Sequence, residues 1–195
     1  MSKLWKSVWV LGTTVMGLAL SAPVLAVTSG VGPYYATPSW DQTLPVATRF
    51  IVLTNMNSAA VLDRETGLVW EQSPSTSTFP WSSTSGATTA AQHCNQLPVG
   101  NRKGWRLPSL QELASLIDPS IAVPGPTLPA GHPFTNVQNL TFESMYWSAT
   151  STAFNFPPLL AWLVSFYNGL VESGNSKTNT NYVWCVRGGS GVDTQ

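Results

Sequence analysis

Apolar and polar positions predict short strands near the start of the globular region. Three runs have strand composition: residues 49–54, 60–63 and 68–70. The polar residues 55–58 between the first two runs predict a hairpin. A second turn at residues 63–67 contains Gly67, which suits the left-handed backbone conformation that such turns require. The domain is therefore expected to begin with strands joined by tight turns.

Two short helices are predicted in the middle of the chain. Within residues 88–97 the apolar side chains fall on one narrow arc at 100° per residue, and Cys94 lies on that arc. The second helix begins at Ser109, where Ser109 and Glu112 form a capping box that satisfies two backbone N–H groups. An Asp-Pro pair at residues 118–119 ends it.

Four further runs have strand composition: residues 145–150, 161–167, 170–173 and 182–187. Asn168 and Gly169 predict a tight hairpin turn between the second and third of these runs. Because side chains alternate along a strand, Val183 and Cys185 share one face of the last run and Trp184 lies on the other. Strands at both ends and helices between them indicate an α+β fold, with long loops and one twisted antiparallel sheet that brings the ends of the domain together.

Long polar or proline-rich segments separate these elements. Residues 71–87 are rich in Ser and Thr and predict a surface loop, and residues 119–139 contain five prolines. A loop as long as the second is often functional. Residues 27–48 form an N-terminal segment rich in Pro and Gly, and residues 191–195 form a tail. The expected domain is therefore residues 49–190.

Composition excludes several classes of protein. Charged residues make up 9% of the 195 residues, and 9 Lys and Arg balance 9 Asp and Glu, whereas a nucleic-acid binder needs a dense cationic surface. A hydrophobic fraction of 43% and 9 Trp exclude a disordered chain. We expect no metal and no cofactor, because no calcium loop is evident: Asp63 and Glu65 are close in sequence but isolated from other acids.

Residues 1–26 have the pattern of a secretory signal peptide. Lys3 and Lys6 precede an apolar run at residues 8–20, and Ala26 provides a small residue for cleavage. An uncleaved membrane anchor is the alternative, but the run is shorter than the roughly 20 residues of a spanning helix. Cleavage removes two lysines and leaves 7 Lys and Arg against 9 Asp and Glu. We expect an extracytoplasmic protein, periplasmic or secreted, with no membrane association after cleavage.

The two cysteines are expected to pair. Cys94 and Cys185 are the two cysteines of the chain, and an oxidising compartment favours a disulfide between them. A free catalytic thiol is the alternative, because His93 adjoins Cys94 in sequence. Neighbouring residues of a helix point in different directions, however, which disfavours such a pair.

Six short motifs follow one another in a fixed order. They are DRETGLVW at residues 63–70, CNQL at 94–97, WRLPSLQEL at 105–113, YWSAT at 146–150, AWLVSF at 161–166 and CVRGG at 185–189. Together they resemble the C-terminal domain family of the Legionella collagen-like adhesin (Lcl), a family of bacterial extracytoplasmic domains. The resemblance covers about residues 49–190, which is most of the chain beyond the signal peptide.

The resemblance implies a C-type-lectin-like fold, distantly similar to that of formylglycine-generating enzymes. The catalytic copper-binding cysteine pair of those enzymes has no counterpart here, so the resemblance favours a binding domain. In the adhesin, the domain is trimeric and binds sulfated glycosaminoglycans. This chain departs from it in two ways: it has no collagen-like Gly-X-Y segment, and its net charge after cleavage is −2. Both departures disfavour binding of a sulfated polymer.

Three charged residues are candidates for a structural network. Arg106 lies just before the second helix and Glu112 in its first turn, so the two can form a bidentate salt bridge that orients the helix. Contact with a ligand is the alternative role for this pair. Arg187 has the same parity as Cys185 and is expected to join the network.

Four residues are candidates for ligand binding: Trp81, Arg102, Lys103 and Trp184. The two tryptophans are expected to be exposed and to stack on sugar rings, although Trp is also a favoured core residue. The two cations, together with Lys177, would form a small anion-binding patch, and an ordinary solvated turn is the alternative.

The function expected from the sequence is a non-enzymatic binding module, adhesin-like, whose ligand is a surface glycan or a protein. One alternative is a structural subunit of a surface assembly, with self-association as a homo-oligomer and residues 119–139 as the contact. A further alternative is an enzyme related to formylglycine-generating enzymes that uses Cys94 or Cys185. No nucleic-acid partner is expected, because the chain lacks a basic surface.

Overall fold

The computed structural model describes residues 44–153 and 159–188. The chain divides into two units, residues 1–34 and 35–195, and the described residues all belong to the second. The predicted signal peptide, the tail and most of the N-terminal segment lie outside the described residues. Within the described part of the chain, no helix is both long and apolar enough to cross a membrane.

The described residues form short strands and short helices, as an α+β fold requires. In chain order, the elements are α1 (Val46–Arg49), β1 (Phe50–Val52), β2 (Ala60–Asp63), β3 (Leu68–Glu71), β4 (Phe79–Pro80), α2 (Ala90–Gln96), α3 (Leu110–Ala114), β5 (Met145–Ser151), β6 (Leu160–Ser165), β7 (Val171–Ser176), β8 (Thr180–Asn181) and β9 (Val186–Arg187). Single 3-10 turns at Thr54–Met56 and Val99–Asn101 follow β1 and α2.

The strands form three sheets, so the prediction of one sheet is wrong. The first sheet has the order β1-β2-β3-β9, the second β5-β6-β7, and the third pairs β4 with β8; all these pairings are antiparallel. The cause lies in the last predicted strand, residues 182–187, which does not stay in one sheet. Tyr182 forms a parallel bridge with Tyr146 of β5, whereas Val186 pairs with Trp70 of β3.

The predicted hairpin between β1 and β2 is present, and so are the two further predicted turns between strands. Residues 60–63 and 68–71 pair across a turn in which Gly67 has a φ of 70°. The carboxylate of Asp63 accepts the backbone N–H of Glu65 at 3.0 Å, which stabilises this turn. Between β6 and β7, Gly169 has a φ of 73° and the side chain of Asn168 accepts the N–H of Leu170 at 3.0 Å. Both glycines have the left-handed conformation that costs other residues about 1–2 kcal/mol.

The two main helices begin where the sequence predicts. Ser109 and Glu112 form the expected capping box at α3, and Thr89 and Gln92 form a second one at α2. Helix α3 is shorter than predicted, because regular helix ends at Ala114 and only single turns follow.

Two apolar clusters form the core, one on each side of the last segment of the domain, residues 182–187. The first contains Trp184 and Val186, and the second contains Val183 and Cys185. The alternation predicted for residues 182–187 is therefore confirmed, although the backbone there is not a continuous strand. From Val183 to Val186 the side chains enter the two clusters alternately, and this packing fixes the position of the segment on both sides.

The long loop of residues 119–139 is confirmed, and it packs against the body of the domain. The N–H of Gly125 donates to the carbonyl of Tyr167, and the N–H of Thr127 donates to the carbonyl of Phe166, both at 2.8 Å. Leu128 is buried in the first cluster. The backbone approach at Gly125 is close, since a Cβ there would lie 2.1 Å from the carbonyl oxygen of Phe166.

We predict that Gly125→Ala lowers the free energy of unfolding by about 2 kcal/mol or more, because the methyl group would overlap backbone atoms that cannot move independently. Urea denaturation measures the effect. Gly86→Ala is the matched control: its Cβ would have no neighbour within 4 Å, so only the positive φ of 79° adds a cost. Equal losses in the two variants would contradict the packing of this loop against residues 166–167.

Candidate functional site

The expected disulfide between Cys94 and Cys185 is confirmed. It joins helix α2 to the segment before β9, with a Cα–Cα distance of 5.5 Å, and both residues are fully buried. An enzyme that uses either sulfur as a nucleophile needs a free thiol, and these two sulfurs are bonded to each other.

Arg106 and Glu112 form the bidentate ion pair that the sequence suggests. Two guanidinium nitrogens donate to the two carboxylate oxygens at 2.7 and 2.6 Å. The carboxylate also accepts the N–H of Ser109, and Arg106 also donates to the carbonyl of Gly188 at 2.7 Å. Burial alone would raise the pKa of Glu112, but the hydrogen bonds from Arg106 and Ser109 outweigh it and lower the pKa. The pair links helix α3 to the end of the last segment.

Arg187 does not join this pair, contrary to expectation. Its Nε donates to the carbonyl of Lys103 at 2.7 Å, so it holds the loop before Arg106. Among the described residues, no ion pair connects Arg187 with Glu112. Alternation along the strand predicts that Arg187 shares a face with Cys185, but it does not specify which neighbour the long side chain of Arg187 reaches.

The prediction that Trp184 is exposed is wrong. Its side chain is fully buried in the first cluster, and its Nε1 donates to the carbonyl of Glu71 at 2.9 Å. Four aromatic rings lie with centroids 4.9–5.9 Å away: Trp70, Phe134, Tyr146 and Phe166. The face opposite Cys185 is buried because the first apolar cluster covers it, which the sequence of one strand does not show.

Trp81 is half-buried, so the expected open stacking face is not present. Its Nε1 donates to the carbonyl of Ser148 at 2.8 Å, and the ammonium of Lys177 lies 4.1 Å from its ring centroid. Lys177 in turn donates to the hydroxyl of Ser151 at 2.6 Å. The lysine is therefore held over the indole by a cation–π contact and a hydrogen bond.

Arg102 and Lys103 are exposed and line a surface cavity of about 550 Å³ with residues 95–98 and Asn101. Lys177, which the sequence grouped with them, does not line this cavity and is held at Trp81 instead. The predicted three-cation patch is thus reduced to two neighbouring side chains.

The structure contains a buried ion network that was not predicted from the sequence. Arg49 and Asp63 are both fully buried and form two hydrogen bonds, at 2.8 and 3.0 Å, and Arg49 lies 3.4 Å from Glu65. Arg49 also donates to the carbonyl of Ser115, which ties the end of α1 to the end of α3. The register of the hairpin between β1 and β2 could have predicted this ion network, since pairing of residue 50 with residue 63 brings Arg49 close to Asp63.

Glu71 is a second buried group that the sequence did not indicate. It is 4% exposed, and its carboxylate accepts the N–H of Cys185 at 2.8 Å. Burial raises the pKa of Glu71 to about 7, and the hydrogen bond from Cys185 only partly opposes this shift. The sequence predicts a surface loop at residues 71–87, in which the side chain of Glu71 would face solvent.

A polar cavity lies beside β7 and β8, away from all the predicted ligand residues. Its volume is about 710 Å³. The lining side chains are mostly amides, hydroxyls and carboxylates with one exposed aromatic ring: Phe142, Glu143, Met145, Glu172, Asn175, Thr178, Asn179, Thr180 and Asn181. We call it the asparagine cavity. No Lys or Arg is among these described lining residues.

Asn181 is the most informative residue of the asparagine cavity. It is 6% exposed, and its Nδ2 has no hydrogen-bond partner in the protein. A buried amide without a partner is costly, so such a group at a cavity wall indicates a place where water or a ligand accepts a hydrogen bond from it. The neighbouring amide of Asn179 donates to Asn175 at 2.6 Å, which fixes its orientation.

The described residues contain no group of three His, Cys, Asp or Glu side chains that could hold a metal ion. The two carboxylates of the asparagine cavity, Glu143 and Glu172, are exposed and belong to separate elements. The cavity is therefore suited to hydrogen bonding with a hydroxyl-rich ligand that carries no negative charge.

We predict that Glu71 contributes a loss of stability as the pH rises from 4.5 to about 7, because it keeps its proton in the folded state and loses it in the unfolded chain. Burial lowers the pKa of His93 and of His132, so these two groups contribute in the opposite direction. Glu71→Gln should remove the contribution of Glu71 and be more stable than the parent at pH 8. Urea midpoints at several pH values measure it. Glu143→Gln, at an exposed site, should keep the parental slope; identical slopes in all three proteins would refute the assignment.

Comparison with known proteins identifies the family of this chain. A family model described as the Lcl C-terminal domain matches residues 59–187, about two thirds of the sequence. A comparison with curated proteins finds no match. The matched region begins within the first hairpin and ends at β9, so it includes the disulfide, the Arg106–Glu112 pair and the asparagine cavity. The chain belongs to the Lcl C-terminal domain family.

Proposed function

We propose that this protein is an extracytoplasmic, non-enzymatic binding module that recognises a neutral glycan in the asparagine cavity. One observation carries the proposal: the buried amide of Asn181 has no protein partner and lies in the wall of that cavity. A ligand hydroxyl or carbonyl oxygen can accept a hydrogen bond from this N–H and so remove the cost of leaving it unpaired.

The other side chains of the cavity have the chemistry of a sugar site. Amides and carboxylates can donate to or accept from sugar hydroxyls, and Thr178 and Thr180 can do both. Phe142 is 60% exposed at the rim, and an aromatic ring can pack against the apolar face of a sugar. A few oriented polar groups and one apolar surface are typical of a small-molecule site.

The charge of the cavity argues for a neutral ligand. Glu143 and Glu172 contribute two negative charges, and a sulfated polymer would approach them against electrostatic repulsion. The family resemblance implies an adhesin that binds sulfated glycosaminoglycans, so this chain would have a different ligand. Arg102 and Lys103 form the alternative site for an anion, but their cavity contains only two cations.

The cellular location and the finer fold belong to the same proposal. A buried disulfide fits an oxidising compartment, and the N-terminal pattern of residues 1–26 fits export to the periplasm or the medium. We also propose a C-type-lectin-like arrangement, with β5, β6 and β7 supporting the ligand surface. The family and the antiparallel sheets support this arrangement.

Two alternatives have less support. A structural subunit that uses residues 119–139 as its contact needs a free loop, yet Leu128 and Phe134 of this loop are buried in the core. An enzyme related to formylglycine-generating enzymes needs a reactive thiol, and Cys94 is bonded to Cys185.

We predict that Phe142→Ala weakens binding of the mature protein to a neutral glycan by about tenfold, because the sugar loses its stacking surface. A glycan array with neutral, amino and sulfated glycans identifies a ligand, and calorimetry gives the affinity. Leu140→Ala is the matched control, since Leu140 is two residues away and 79% exposed but does not line the cavity.

The array also separates the two candidate sites. Binding to heparin alone, unaffected by Phe142→Ala and lost in an Arg102→Ala, Lys103→Ala double variant, would move the site to the cationic cavity and refute the proposal. No binding to any glycan by correctly folded protein would refute recognition of a carbohydrate.

A further inference from the structure

A second cavity adjoins the asparagine cavity. Its volume is about 250 Å³, and it is lined by Pro80, residues 82–85, Ala87, Thr178 and Thr180. Thr178 and Thr180 line both cavities. The two cavities therefore adjoin at the turn between β7 and β8 and the first residue of β8, which together we call the threonine ridge (residues 177–180).

The threonine ridge is held in place from both sides. Backbone hydrogen bonds join Lys177 to Ser82 and to Leu159, each at 2.9 Å. The side chain of Lys177 is fixed on Trp81 and Ser151, and Thr180 pairs with Pro80 in the third sheet. A ridge anchored in this way can present its two threonines to a ligand without first being ordered.

The cavities on the two sides of the threonine ridge are both lined largely by polar side chains. The asparagine cavity supplies amides, two carboxylates and Phe142, and the second cavity supplies Ser and Thr hydroxyls with small side chains. No charged side chain lines the second cavity among the described residues. Both sides suit a polymer that repeats the same hydroxyl groups along its length.

We propose that the two cavities are subsites of one extended site, which binds a linear neutral oligosaccharide across the threonine ridge. The inference rests on the proposed function and adds to it the form of the ligand. A chain of three or more sugar units can occupy both cavities and contact Thr178 and Thr180 between them. A single terminal sugar can use only one side.

Calorimetry with oligosaccharides of two to six units tests the extended site. The probes are four neutral series: chito-, cello-, xylo- and malto-oligosaccharides. In the series that binds, affinity should rise about tenfold between the disaccharide and the tetrasaccharide and then level off, as the second subsite is filled.

Ala87→Leu separates the two subsites. The exposed Ala87 lines the second cavity, and a larger apolar side chain there fills space without adding hydrogen-bonding groups. The variant should bind the disaccharide like the parent and lose the gain with length. Ala91→Leu, on the exposed face of α2 and outside both cavities, is the control and should keep that gain.

The outcomes distinguish this inference from the proposed function. Equal affinity for the disaccharide and the hexasaccharide would overturn the extended site and leave recognition in the asparagine cavity intact. The same would follow if Ala87→Leu kept the full gain with length. If none of the four series binds to folded protein, the proposed neutral-glycan function fails and the extended site fails with it.

Discussion

The segment of residues 180–187 supplies a strand or a bridge to each of the three sheets. Thr180 and Asn181 pair with β4, Tyr182 bridges to β5, and Val186 and Arg187 pair with β3. The disulfide fixes this segment to helix α2, and closing a loop of this length is worth about 4–5 kcal/mol in chain-entropy theory. Arg106 adds a second anchor through the carbonyl of Gly188.

The proposed binding surface depends on the same segment. Thr180 and Asn181 form part of the wall of the asparagine cavity, and two residues later the chain enters the core at Val183, followed by Trp184. Because Trp184 is enclosed by other aromatic rings, the position of the wall is set by core packing and not by a free loop. This arrangement explains how a surface of short strands and turns can keep a fixed shape.

Local features of the fold were predictable, and the site was not. Turn glycines, capping boxes and alternation in residues 182–187 are encoded by neighbouring residues, and the cysteine pair follows from counting. The division into three sheets depends on which distant strand each short stretch meets. The burial of Trp184 and Glu71 depends on distant residues: Trp184 lies against Trp70, and Glu71 accepts a hydrogen bond from Cys185. Asn181 carries no motif; only the surrounding packing turns it into an unpartnered amide.

The order of the chain imposes a condition on biogenesis. Strands β1 to β3 can associate early. The outer edge of β3 and the whole of β4 stay unpaired, however, until residues 180–187 have left the ribosome or the export channel and supply β8 and β9. Contacts that link distant parts of a chain form slowly and leave exposed strand edges in the meantime. A nascent or truncated chain without these residues would therefore lack both its covalent cross-link and the proposed ligand surface, and its unpaired strand edges would be open to proteolysis.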